Sequence, residues 1–277
     1  MPQPQIVQSL PYAAWMLLAA LGFGVFALVA LTRWLTEATR GYLGFTSFCA
    51  GLLALLAMVT DWGLPRPTDL IIQPASAELA WVRQAGLAAF ALAAIALTFV
   101  QRRSLLATGV VLVGLAAAVT ALGAAALGWA PTAVDAVPLL VQLVMLALVT
   151  GGSLAAIVLG HWYLVTPKIP ERPLVLQARF VLAIVGLQLL VFVVWTTLGG
   201  GPGQGAFAAF KGGSLVLVVL RLVVSLLFPL ALTWMAWRTA QTRSMESATG
   251  LLYINLAAVM AGTIGAAALY VSTGLLV

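Results

Sequence analysis

Apolar residues run along this chain in eight blocks of about twenty, broken by short segments that hold most of the prolines and nearly all of the charges. The blocks fall at about 11–32, 43–60, 81–100, 105–129, 138–164, 174–197, 213–237 and 247–273. About twenty residues of helix cross roughly 30 Å of hydrocarbon. The pattern therefore predicts an all-α, polytopic integral membrane protein, a compact bundle of eight transmembrane helices forming a single transmembrane domain over 1–277. The first block begins near Pro11 without the basic segment that precedes a cleaved secretory signal, so it reads as a retained span.

Charge then orients the bundle. The segments after blocks one, three, five and seven, with the adjoining helix ends, carry Arg33, Arg40, Arg102, Arg103, Lys168, Arg172, Arg179, Arg238 and Arg243. The opposite face holds only Arg66, Arg83 and Lys211, beside Asp61, Asp69, Glu78 and Asp135. Basic residues near span ends stay in the cytoplasm, so both chain ends are expected on the non-cytoplasmic side of a cell inner or cytoplasmic membrane. Trp62, Trp81, Trp129, Trp162, Tyr163 and Tyr270 lie near block ends, where amphipathic rings anchor a protein in the headgroup layer.

Composition narrows the function classes. With 63% hydrophobic and 7% charged residues the chain has no room for a soluble domain, and its net charge of +6 is spread over loops rather than clustered as a nucleic-acid surface. The lone cysteine, Cys49, permits neither an intrachain disulfide nor a cysteine metal cluster. The glycine-rich segment 198–212 lacks the G-x-x-x-x-G-K-S/T order of a phosphate loop. The seven acids include no D-x-x-D pair to hold Mg²⁺, and no catalytic motif stands out, which leaves an enzymatic role undecided. No acid sits mid-block, which argues against a pump whose proton carrier is a buried carboxylate.

The polar residues inside the blocks carry whatever chemistry remains. His161, the only histidine, lies at the end of the fifth block in GHWYLVTPKIPERPL, where imidazole chemistry suits a haem iron or a quinone carbonyl. Trp162 and Arg179 are its candidate neighbours, with Lys168, Arg172 and the stiff Pro167, Pro170 and Pro173 forming a basic rim. One histidine excludes bis-histidyl ligation within the chain, so a haem b would need another ligand such as Met235, or one from a partner subunit. Arg221 is the clearest anomaly. It stands about eight residues, or about 12 Å, inside the seventh block, at an insertion cost of roughly 2.5–3.5 kcal/mol. Ser225 and Pro229 follow at four-residue steps, and the three are expected to line a polar cavity able to hold a carboxylate, phosphate or propionate. Gln142, Gln188 and Asn255 complete the set, with Asn255 and Gly262 facing inward on the last helix. Gly109, Gly114, Gly123 and Gly128 mark the fourth helix as central or tightly paired.

These readings lead to an integral subunit of a respiratory or other electron-transfer complex, contributing a quinone or haem b site and anchoring partner redox subunits in the bilayer. The competing expectations are a transporter of a small organic anion or lipid-like substrate, favoured by Arg221, and a purely structural assembly subunit.

Overall fold

The computed structural model describes residues 3–67, 70–72, 75–101, 104–166, 168–211 and 215–277, with side chains from Gln8 onward. Asp69, Arg102, Arg103 and Pro167, which figure in the sequence reading, lie outside these residues. The helices are α1 (Gln3–Leu35), α2 (Arg40–Trp62), α3 (Ala77–Phe99), α4 (Leu105–Trp129), α5 (Ala133–Val165), α6 (Arg172–Leu198), α7 (Leu215–Leu222), α8 (Phe228–Gln241) and α9 (Met245–Thr273). A π-turn, Val223–Leu227, joins α7 to α8, so Leu215–Gln241 is one span and the chain forms a bundle of eight apolar membrane-spanning helices. The described residues of the two longer connections, 63–67 and 199–211, lie at one end of the bundle, and the short turns after α1, α3, α5 and α8 lie at the other.

Two helices begin earlier than their prolines suggest. Pro11 and Pro138 lie inside α1 and α5, not at their starts. For α5 the reason is local: the Thr132 hydroxyl accepts from the Asp135 N–H at 3.2 Å and binds the Asp135 carboxylate at 2.6 Å, a cap that starts the helix before Pro138. Thr39, Ser76 and Ser104 cap α2, α3 and α4 in the same way, by accepting from the N–H three residues on.

The centre of the bundle is α1 against α5. In their most apolar stretches 72% and 78% of positions are buried, against 50% in α4. Gly24 and Gly151 set this crossing. A Cβ on Gly24 would overlap the Ala147 carbonyl, and one on Gly151 would stand 2.6 Å from the Gly24 Cα. The glycines of α4 do less than their number implies. Gly114 admits the Phe26 ring and Gly128 admits Ala75, but a Cβ at Gly109 or Gly123 would meet nothing within 4 Å. The close α3–α4 contact rests instead on Gly86, whose Cβ would lie 2.9 Å from the Ala121 nitrogen. Small residues bring backbones together only where they face a neighbour, and half of those in α4 do not.

Side-chain hydrogen bonds cross the interior at three levels. Gln177 of α6 donates through Nε2 to the Thr32 and Tyr42 hydroxyls, each at 2.7 Å, and Tyr42 donates to the Ala155 carbonyl at 3.2 Å. Asn255 donates to Ser153 Oγ at 2.8 Å, and the Thr150 and Thr263 hydroxyls pair at 2.7 Å. These bonds tie α1, α2, α5, α6 and α9 together where apolar burial provides no drive for association. Tyr270, expected at the headgroups, is 1% exposed, because α9 continues beside the folded tail and its ring is enclosed.

Gly24→Ala should prevent the α1–α5 crossing and lower the thermal midpoint in detergent sharply or abolish folding, whereas Gly123→Ala, with open space around it, should leave the midpoint unchanged or raise it slightly through helix propensity, about 1 kcal/mol at most. Circular-dichroism melts of the two variants check this.

Candidate functional site

Arg221 occupies the last turn of α7, immediately before the π-turn, and is 4% exposed. The seventh span is built to place it there. Val223–Leu227 makes its hydrogen bonds one residue long, with the Phe228 N–H bonding the Val223 carbonyl, and Pro229 follows with no N–H to give. Gly262 of α9 leaves the room the guanidinium needs: a Cβ there would sit 2.8 Å from Arg221 Nη1 and overlap Ser225. Gln188 reaches across from α6, its Oε1 accepting from Arg221 Nη2 at 3.5 Å.

The expected cavity beside Arg221 and Ser225 is filled by the chain itself. Gly274 turns α9 through a positive φ of 73°, and Leu275, Leu276 and Val277 fold back into the bundle with no more than 4% exposure. Val277 is held through both of its main-chain polar atoms. Its N–H donates to Gln142 Oε1 at 3.2 Å and its carbonyl accepts from Arg221 Nε at 3.4 Å. The Leu276 N–H donates to the Gly200 carbonyl and Gln204 Nε2 to the Thr273 carbonyl, so the 199–211 segment clamps this tail from outside.

No Asp or Glu side chain among the described residues pairs with Arg221. Asp61, Glu78 and Asp135 were the described acids available to it, but Asp61 pairs elsewhere, Glu78 is exposed and Asp135 belongs to the α5 cap. Both of its hydrogen bonds are long, and Gln188 Nε2 beside it is buried with no acceptor. Unmet buried donors cost roughly 1–3 kcal/mol each, more when charged. Arg221, Gln188 and Gln142 thus form a cluster rich in donors and free of acids, able to hold an oxygen-bearing head and unsuited to a metal cation.

The other sequence candidates are not gathered into a site. His161 is exposed on the bundle perimeter, as are Arg179 and Lys168. Trp162 is half-buried, its ring 6.4 Å from Phe45 and packed over Gly41. Met235 is 44% exposed and no bond joins it to His161. Among the described residues no three of His, Cys, Asp and Glu come together as metal ligands. Asn255 is committed to Ser153, although its Oδ1 has no partner. On α5, Thr150 and Ser153 face α9, while His161 near the helix end is exposed.

A second buried guanidinium was not anticipated. Arg83 and Asp61, read as loop charges, form an ion pair inside the bundle: Arg83 Nε to Asp61 Oδ1 at 2.5 Å and Nη2 to Oδ2 at 3.3 Å. The guanidinium carbon lies 5.2 Å from the Trp129 ring centre and 5.8 Å from Trp15. Trp129, expected as a headgroup anchor, is instead 2% exposed, edge-on to Trp15 at 4.9 Å and to Tyr12 at 5.6 Å. The pairing was accessible in principle: an acid at the end of α2 and a base in the second turn of α3 are brought level by the hairpin between them.

No family model, curated protein or solved structure matches this chain.

The two arginines should respond oppositely to removal of charge. Asp61→Leu strands a buried guanidinium and should cost about 3–5 kcal/mol of stability. Arg221→Met removes a buried cation that pairs with no described Asp or Glu side chain and makes only long hydrogen bonds, so the thermal midpoint should stay level or rise, as a melt of each variant in the same detergent would show.

Proposed function

We propose that this membrane protein binds the anionic head of a small organic molecule at Arg221 and carries it across the bilayer. The observation behind this reading is the cation itself: Arg221 is buried in an apolar span, pairs with no Asp or Glu side chain among the described residues, makes only long hydrogen bonds, and is flanked by the unpaired Nε2 of Gln188. A carboxylate would meet both donors and offset the cost of placing the charge there. The tail residues Leu275–Val277 cover the site from the long-loop face, and the π-turn beside Arg221 supplies the weak point at which α7 moves relative to α8. The basic residues of the short-turn face set that face in the cytoplasm of an inner or cytoplasmic membrane, so Arg221 lies toward the outer leaflet.

A second reading keeps the same site in an electron-transfer complex, with a quinone head in place of the carboxylate and partner subunits around the bundle. Gln188 favours it, since a neutral amide N–H in a dry span suits a carbonyl oxygen. His161 is exposed on the perimeter, apart from Arg221, and a haem b held there would need a second axial ligand such as Met235 or one from a partner subunit.

Purified full-length protein in proteoliposomes, offered a panel of radiolabelled mono- and dicarboxylates, should take up at least one of them saturably. Arg221→Gln should reduce that uptake by roughly thirty- to a hundredfold, as expected for loss of about 2–3 kcal/mol of charge-assisted hydrogen bonding. Equal uptake by the variant, or none of the panel entering, contradicts the carrier reading. A quinone-dependent absorbance change lost in the same variant would favour the electron-transfer reading.

A further inference from the structure

Beside the Arg83–Asp61 pair lies a cavity of about 190 Å³, walled by Tyr12, Asp61, Pro65, Arg66, Arg83 and Trp129 among others, at the ends of α1 to α4 on the long-loop face. At about 30 Å³ per water it has space for on the order of six waters or a small organic ion. Its polar groups divide unequally. Asp61 is saturated by Arg83 and its side chain is fully buried. The Tyr12 hydroxyl is committed as donor to the Pro65 carbonyl at 2.6 Å. What remains at the walls is the exposed guanidinium of Arg66 at the rim and the half-buried Gln84 amide, with Arg83 Nη1 buried behind them and without a partner. With Asp61 counted against Arg66 and Arg83, the walls carry one net positive charge.

We propose that this cavity is a binding site for a singly charged oxyanion, separate from the Arg221 site. The donors left over by the ion pair select for acceptor oxygens, the surplus charge selects for one negative charge, and the Trp129 and Pro65 rings supply an apolar flank for a short carbon chain. The same chemistry is found in a free carboxylate and in the phosphate of an anionic lipid. Trp62 and Trp81, exposed at the neighbouring ends of α2 and α3, set the cavity at headgroup depth, where both are encountered. Trp129, one of the walls, gives the site an optical reporter.

The test uses the full chain and reads the Trp129 contribution to fluorescence as the difference from Trp129→Phe. Propionate is titrated into the protein in detergent, and in parallel the protein is placed in phosphatidylcholine nanodiscs with and without phosphatidylglycerol. The expected result is a saturable Trp129 response, weakened about tenfold by Arg66→Gln at the rim, abolished by Ala80→Leu, which fills the cavity without touching a charge, and unchanged by Arg221→Gln. A response to propionate assigns the site to a free carboxylate, and one to phosphatidylglycerol alone assigns it to a lipid phosphate. No response to either probe, or one that survives Ala80→Leu or ignores Arg66→Gln, overturns the proposal. Because Arg66 and Ala80 lie outside the ion pair, these variants leave Asp61 and Arg83 joined, and the result is independent of the carrier reading.

Discussion

A polar side chain inside a lipid-solvated bundle has no water to fall back on, so each one must find its partner among the helices or remain unsatisfied at a cost of several kcal/mol. Much of this architecture follows from that constraint. Gln177, Tyr42 and Thr32 satisfy one another between α6, α2 and α1, and Asn255 with Ser153 and Thr150 with Thr263 do the same between α5 and α9. At the centre of the same network, Gly24 and Gly151 let α1 and α5 touch backbone to backbone. Arg83 obeys the same rule with charge, meeting Asp61 on one edge and lying beside the Trp129 and Trp15 rings. A desolvated guanidinium over an aromatic ring gains about 2 kcal/mol, which helps hold the pair where a carboxylate alone would barely offset desolvation.

Against this background the exceptions carry information. Arg221 meets only long bonds to a main-chain carbonyl and an amide, and Gln188 Nε2 meets nothing. The surrounding structure nonetheless provides for Arg221. Gly262 makes space for it, the π-turn loosens the helix behind it, and the tail from Gly274 brings the Val277 main-chain oxygen against it. That oxygen stands at the long distance of 3.4 Å, which is the physical reason to assign the position to the anionic head of a ligand that can approach more closely.

The eight spans were legible because hydrophobic block length is a direct consequence of bilayer thickness, and the anomaly of Arg221 was legible because one charge in an apolar run cannot be mistaken. Partnership was not. Nothing in the one-dimensional pattern distinguishes Gly123, which faces open space, from Gly24, which sets the central crossing. Nor does it show that Trp129 at a helix end turns inward onto Arg83 while Trp81 at another turns out. His161 drew attention by being the only residue of its kind, yet rarity says nothing about burial, and the ring lies on the perimeter. The fold of the tail against Gln142 had no local signal beyond Gly274, whose left-handed turn is one that glycine adopts at little cost.

The claim that Arg221 and the unmet amide of Gln188 hold a ligand is tested most directly by native mass spectrometry of the protein released from the membrane in which it was made. The expected result is a small acid bound one to one to the wild-type chain and absent from Arg221→Gln. A wild-type chain that carries no adduct and has the same mass profile as the variant would contradict it, and would leave Arg221 as a structural cation held by the Val277 carbonyl and Gln188 alone.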